Sequence, residues 1–291
     1  MSFAHTLPPL TIARGRPRDF PAPDDDGWES HFDHRGRPCA YTRATTRGGW
    51  LHLPGLALYR FEANGAAVEA FQEPGVTAPA VREAYYRLAL PMALLAMGYD
   101  VLHASAVRQA RSVHVFCGAS HAGKSTLAHA LSRRGFEVWA DDAVAFTRQD
   151  GTMTAVPLPF ALRLRPDVAQ FFQPAGARPA ANGKTETLRH HPAESLRIGS
   201  VSVLERGSDS AIVQLPASEA LPAVLYHSFY LSLAEQAVQR RMAGRFLELV
   251  AGVPIFRVTL GRGLDRIAGL ADELERRVLA GGNGSVPSRS T

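Results

Sequence analysis

The feature that most constrains this chain is the run Gly118-Ala119-Ser120-His121-Ala122-Gly123-Lys124-Ser125, which matches GxxxxGK[ST] at every fixed position. Each residue type has a chemical reason. The glycines let the backbone curl so that successive N–H groups point inward at an anion. A helix that follows adds its positive dipole end. Lys124 supplies a point charge for β- and γ-phosphates, and the Ser125 hydroxyl suits a Mg²⁺ ion bridging them. The motif has meaning only between a strand and a helix, and the flanks supply both. Val113, Val115 and Cys117 alternate with His114 and Phe116 into the loop, and residues 126–131 (TLAHAL) continue as a helix.

The next expected strand, residues 136–140, stops at Asp141-Asp142. A strand leaving such a helix returns parallel to the first and is expected beside it. Its carboxyl end then lies where open α/β sheets bind ligands. Two carboxylates there suit phosphoryl transfer, one supporting Mg²⁺ and the other accepting the proton of an attacking hydroxyl. Small-molecule kinases with carboxylates at this place usually show Asp-x-Asp leading into a helix. Here Ala140-Asp141-Asp142-Ala143-Val144 leads into a strand and a hairpin turning at Gln149-Asp150-Gly151.

The composition excludes several classes. With 291 residues, 46% of them apolar and 20% charged, the chain is long enough for one large or two smaller globular domains. A net charge of +5, carried mostly by arginine, suits a phosphorylated ligand or an acidic peptide and equally a genome that prefers Arg to Lys; no basic block is interleaved with aromatics, so nucleic acid is not an expected partner. Two cysteines, Cys39 and Cys117, form neither a disulfide framework nor a zinc-ligand spacing. The first ten residues do not read as a signal peptide, and the apolar stretch 88–97, which contains Pro91, is too short to span a bilayer. A cytoplasmic chain without membrane partners is expected.

Helical spacing over residues 80–98 ends at Gly98, a C-cap. Residues 50–61 read as strand-turn-strand, and residues 101–107 and 111–117 as two strands. Further strands are expected at 143–147, 152–156, 161–165, 199–204, 211–215 and 254–260. Helices are expected at 124–134, 218–226, 233–250 and 264–280. Residues 173–192 read as a polar loop, and 281–291 as a disordered Gly/Ser-rich tail. The expected domains are a divergent N-terminal region, 1–78, for substrate or partner binding, a catalytic domain, 79–280, and the tail.

His103 on a strand, a second strand, the phosphate loop, a helix, Arg134-Gly135-Phe136 and then Ala140-Asp141-Asp142 together resemble the HPr kinase/phosphorylase family. The core of that family is similar to ATP-dependent phosphoenolpyruvate carboxykinase. The resemblance covers residues 102–146. It implies an α/β fold, with a phosphate-loop kinase core of the HPr kinase C-terminal type, a mixed sheet and flanking helices. By it, residues 118–126, namely Gly118, Ala119, Ser120, His121, Ala122, Gly123, Lys124, Ser125 and Thr126, bind ATP. Ser125 and Asp142 support Mg²⁺, Asp141 is the proton acceptor for a substrate serine, and His103 lies near the transferred phosphate. The division of labour between the two aspartates stays open.

The chain departs from the family at His121, usually glycine, and at Thr126, usually glutamate, and it lacks an acidic residue followed by Arg-Gly-x-Gly-Ile; Glu205-Arg206-Gly207 is only superficially similar. It resembles instead the divergent HPr-kinase-like proteins found beside peptide-modification genes, including lasso-peptide kinases. The implied function is a Mg²⁺/ATP-dependent serine kinase acting on a peptide or small protein, and a homo-oligomer is compatible with it. A kinase of a small metabolite, such as free serine or a sugar acid, and a non-catalytic nucleotide-binding protein are the alternatives. Lys184, Arg189, His190 and His191 in the polar loop, and Arg163 and Arg165 on one strand face, are weaker candidates for a cation over the γ-phosphate. Each reads first as a solvated charge.

Overall fold

The structure is a computed structural model, and it describes residues 7–15, 17, 27–32, 36–45, 48–62, 67–180, 183–230 and 236–279. The expected tail at 281–291 lies outside the described residues. The chain divides into two compact units. The first runs to Leu102 and adds Ala145–Thr147 and Ser228–Arg245; the second holds His103–Val144, Arg148–His227 and the chain from Phe246 on.

The first unit is built on a six-stranded sheet of β1 (Leu10–Arg14), β2 (Glu29–Phe32), β3 (Pro38–Thr45), β4 (Gly48–Leu53), β5 (Ala57–Glu62) and β6 (Val68–Gln72), in the order β1-β6-β5-β4-β3-β2. Neighbours are antiparallel except β1 and β6. The strand-turn-strand expected at 50–61 is the β4–β5 hairpin. Gly48 pairs with Glu62 so tightly that a Cβ there would stand 1.9 Å from the Phe61 carbonyl oxygen. The expected helix at 80–98 is α1 (Ala78–Ala84), one π turn (Tyr85–Ala89) and α2 (Leu90–Ala96), and Gly98 at φ 90° follows as expected of a C-cap. These helices belong to this unit. The Tyr59 hydroxyl donates to the Val81 carbonyl at 2.7 Å, and Leu90, Ala93 and Leu94 are buried. β7 (Asp100–Leu102) ends the segment.

The chain continues with β8 (Ala104–Gln109), β9 (Ser112–Gly118), α3 (Lys124–Ser132), β10 (Glu137–Ala140), β11 (Val144–Gln149), β12 (Thr152–Val156) and β13 (Phe160–Leu164), all of the second unit except Ala145–Thr147 of β11. There follow α4 (Pro166–Phe172), β14 (Arg178–Pro179), β15 (Thr185–His190), β16 (Leu196–Arg206), β17 (Ala211–Gln214) and α5 (Ala217–Leu225). The chain closes with α6 (Gln236–Gly252), whose residues up to Arg245 belong to the first unit, then β18 (Ile255–Leu260), α7 (Arg266–Leu274) and a π turn (Glu275–Leu279). The hairpin expected at Asp150-Gly151 joins β11 to β12, with both turn residues at positive φ.

Strand order in the main sheet of the second unit runs β10-β8-β9-β16-β12, with β18 beside β16 and β17 beside β18. The strand after α3 was expected next to the phosphate-loop strand. It runs parallel to β9, but β8 lies between them, because β8 and β9 form a hairpin and β8 already holds that edge. β16 takes the other edge of β9, in parallel. The polar segment 173–192 reads as a loop from its composition, yet β15 forms there and pairs with β13 and β14. Thr185, Glu186 and Thr187 are acceptable strand residues once a partner strand is present, which no local signal announces.

The core beneath the loop gathers Phe116, Leu127, Leu131, Val138, Leu270 and Leu274, all at most 3% exposed. Leu127 and Leu131 are four apart on α3 and so share the inward face of that helix. Among the described residues no helix is long and apolar enough to cross a membrane.

Candidate functional site

β9 delivers the chain to Gly118, and the loop turns back into α3. A Cβ on Gly118 would stand 2.9 Å from both the Leu204 carbonyl oxygen and the Ala122 Cβ, so only glycine lets the loop leave β9 this close to β16. Gly123 has φ 112°, a left-handed conformation, at the N-cap of α3. The Ala122 N–H bonds the Ala119 carbonyl at 3.0 Å, and the Leu127 N–H bonds the Gly123 carbonyl at 2.8 Å. No side chain caps α3, so its first turn offers backbone donors and a positive dipole end to an anion. Ala119, Ser120 and His121 are exposed, Ala122 is buried, and Thr126 is half-buried on that turn. His121 has φ 68°.

Lys124 is only 8% exposed. Its Nζ donates to the Gly118 carbonyl at 2.8 Å and the Ala119 carbonyl at 3.2 Å. Burial lowers its proton affinity, and Asp142 and then Asp141 work against that.

The place of β8 explains how the paired aspartates meet the loop. β8 is antiparallel to both β9 and β10, so its first residues lie at their carboxyl ends. Ser105 Oγ donates to Asp141 Oδ1 at 2.6 Å, and Ser125 Oγ donates to the same oxygen at 2.8 Å. The Arg163 N–H, on β13, lies 3.4 Å from Asp141 Oδ2. Asp141 is 7% exposed. Burial, and after it the Asp142 charge, push its carboxyl up to about 7, against the pull of these three hydrogen bonds.

Asp142 has φ 98°, and its N–H bonds the Ala104 carbonyl at 3.1 Å. His103 was expected on a strand and instead stands between β7 and β8. Its Nδ1 lies 3.0 Å from the Asp142 carbonyl oxygen, which can only accept, so the proton is on Nδ1. The His103 N–H donates to the His227 carbonyl at 2.8 Å. The structure thus brings Lys124, Ser125, Asp141, Asp142 and His103 into one site.

Sequence reasoning missed two members. Ser105 is a small hydroxyl in an apolar strand, and only its register opposite Phe116 reveals it. His227 lies far along the chain at the end of α5, and no local pattern marks it. Its imidazole is pushed down to about 4 by burial, then by Lys124 and His103. The weaker candidates separate. Arg165 pairs with Asp167 at 3.1 Å, Arg189 with Glu186 at 2.7 Å, and His190 lies 3.5 Å from Glu137. Arg163 is 6% exposed and reaches Glu186 at 3.5 Å. Lys184 is felt electrostatically at Lys124.

The oxygen donors suit Mg²⁺, which takes one or two carboxylates together with phosphate oxygens and water. Among the described residues no group of three or more His, Cys, Asp or Glu side chains could hold a metal ion. Ser125 and the two aspartates are the oxygen groups that could take part in such a site.

No protein-family model matches the chain, and no curated protein sequence matches it. Among solved structures it is similar to the HPr(Ser) kinase/phosphatase from Coxiella burnetii, over 63% of this chain and 99% of that one, at 11% identity and a TM-score of 0.34. At that distance no residue role transfers from one to the other, and the site is argued from its own geometry.

Proposed function

We propose that this chain is a Mg²⁺/ATP-dependent phosphotransferase that moves the γ-phosphate of ATP onto a hydroxyl of a peptide or small protein. The observation that carries the reading is the hydrogen bond of 2.8 Å from Ser125 Oγ to Asp141 Oδ1. It joins the end of the phosphate loop to the carboxylate pair, so phosphate binding and proton transfer share one place. The acceptor class rests on the sequence resemblance.

Lys124 and the first amides of α3 hold the β- and γ-phosphates. Ser125 and Asp142 would hold Mg²⁺, which would shield phosphate charge. Asp141 accepts the proton of the attacking hydroxyl, and a carboxylate raised to about 7 is a stronger base than an ordinary one. The acceptor oxygen bonds to phosphorus as the bond to the β–γ bridging oxygen breaks, and ADP leaves. With its Nδ1 proton held by the Asp142 carbonyl, the His103 Nε2 can act only as an acceptor.

The test is transfer of label from γ-labelled ATP with Mg²⁺ to a panel of serine peptides and small hydroxyl compounds. Label is expected in peptide, and Asp141→Asn is expected to lower transfer by about 10³-fold while ATP still binds. Label only in small hydroxyl compounds would move the acceptor to the metabolite class. Transfer at the wild-type rate in Asp141→Asn would remove that residue from its role.

A further inference from the structure

Asp141 presents two carboxylate oxygens, and the fold treats them differently. Oδ1 accepts two hydroxyl hydrogen bonds, from Ser105 Oγ at 2.6 Å and from Ser125 Oγ at 2.8 Å. Among the described residues the one donor near Oδ2 is the Arg163 N–H, at 3.4 Å, beyond the usual range for such a bond. A carboxylate oxygen offers two lone-pair sites. Two short donors fill those of Oδ1, while Oδ2 keeps room for another partner.

The two donors to Oδ1 differ in what else they serve. Ser125 closes the phosphate-loop motif and stands half-buried on the first turn of α3. Ser105 is the second residue of β8, the strand between β9 and β10, and is fully buried, as are Ala104 and Ala106 on either side of it. Ala106 pairs with Ala140, the residue before Asp141, so strand register brings Ser105 beside the carboxylate. A hydroxyl buried among apolar neighbours costs free energy unless it is bonded. Among the described residues Asp141 is the partner of the Ser105 side chain, and it is the whole of that hydroxyl's bonding.

Resting on the phosphotransferase reading, we propose that Ser105 is a positioning residue that commits Asp141 Oδ1 and leaves Oδ2 to take the proton of the acceptor hydroxyl. The proton moves to Oδ2 as the acceptor oxygen bonds to the γ-phosphorus. The bond from that phosphorus to the β–γ bridging oxygen breaks, and ADP leaves with its electron pair. Ser105 acts only through Asp141: it fixes which oxygen is the base and how the carboxylate is turned, and a base must be held in line with the hydroxyl it serves.

A double-mutant cycle tests it. Label transfer from γ-labelled ATP with Mg²⁺, to whichever serine peptide or small hydroxyl compound the wild-type chain labels best, is followed for the wild-type chain, Ser105→Ala, Asp141→Asn and the double variant. Calorimetry gives the ATP affinity of each. Ser105→Ala is expected to lower kcat about tenfold while the KM for ATP and the ATP affinity stay within about twofold, and that retained binding shows the variant is folded. In the Asp141→Asn chain, loss of the Ser105 hydroxyl is expected to cost less than about twofold more, because the group it acts through is already gone. An unchanged kcat in Ser105→Ala, a loss of ATP affinity that matches the loss of kcat, or the same tenfold loss again in the Asp141→Asn chain overturns the positioning role and leaves the phosphotransferase reading standing. No transfer by the wild-type chain to any acceptor overturns that reading and the positioning role with it.

Discussion

His121 occupies the loop position where the resembled family usually carries glycine, and its φ of 68° gives the reason. The loop needs a left-handed residue there, and a non-glycine side chain tolerates it at a cost of about 1 kcal/mol. The Arg206 guanidinium reaches the His121 carbonyl at 3.4 Å from the end of β16, one contact that holds the strained residue. His121→Gly removes the strain but adds chain entropy to the unfolded state, so urea unfolding is expected to show a change of less than about 1 kcal/mol. His121→Val, β-branched at positive φ, is expected to lose about 1–2 kcal/mol. Equal stability of the glycine and valine variants would contradict a left-handed requirement. The strand, turn and helix around Gly118, Gly123, Lys124 and Ser125 were legible in the sequence because that geometry is local. The nearness of Ser105 to Asp141 and of His227 to His103 was not, because each depends on strand register or a distant turn.

At the scale of elements, the β9–β16 pair carries the loop and is locked by a buried polar contact. His114 Nδ1 lies 2.9 Å from Ser200 Oγ, and both residues are 1% exposed. Gly199 makes room for the ring, since a Cβ there would stand 2.9 Å from His114 Cε1. Burial, then Arg197, pushes the imidazole down to about 4. A histidine depressed on folding is neutral in the native chain but protonates in the unfolded one below its ordinary value of 6.5. Its contribution is therefore full above pH 6.5 and is lost as pH falls toward 4. Between pH 7.5 and 5 this amounts to about 2 kcal/mol. Urea midpoints of the wild-type chain should fall across that range more steeply than those of His114→Gln. Parallel pH profiles would show that His114 is not the titrating group.

The same scale shows where pattern reading stopped. Alternation in β9 and the Asp150-Gly151 turn were plain. The pairing of β10 with β8 rather than β9 depends on which edge the β8–β9 hairpin occupies, a tertiary outcome. β15 is strand because β13 and β14 flank it; its own residues read as loop.

Across the whole molecule, every residue assigned to the phosphate loop, the aspartate pair and His103 belongs to the second compact unit. The first unit was the least legible part of the chain. Polar and proline-bearing segments interrupt its strands in the sequence. Its strand pairs become evident only together, through the β4–β5 close approach at Gly48 and the helices that cover Tyr59. The hydrogen bonds that join the loop, its lysine and Asp141 lie within the second unit. The central claim is that this loop binds the phosphates of Mg²⁺-ATP. It is tested most directly by calorimetric titration of Mg²⁺-ATP into the wild-type chain and Lys124→Ala. Saturable binding is expected, weakened about 100-fold or more in the variant, since on this account one buried ammonium would bridge two phosphates. Absence of binding to the wild-type chain, or equal affinity in Lys124→Ala, would contradict the account.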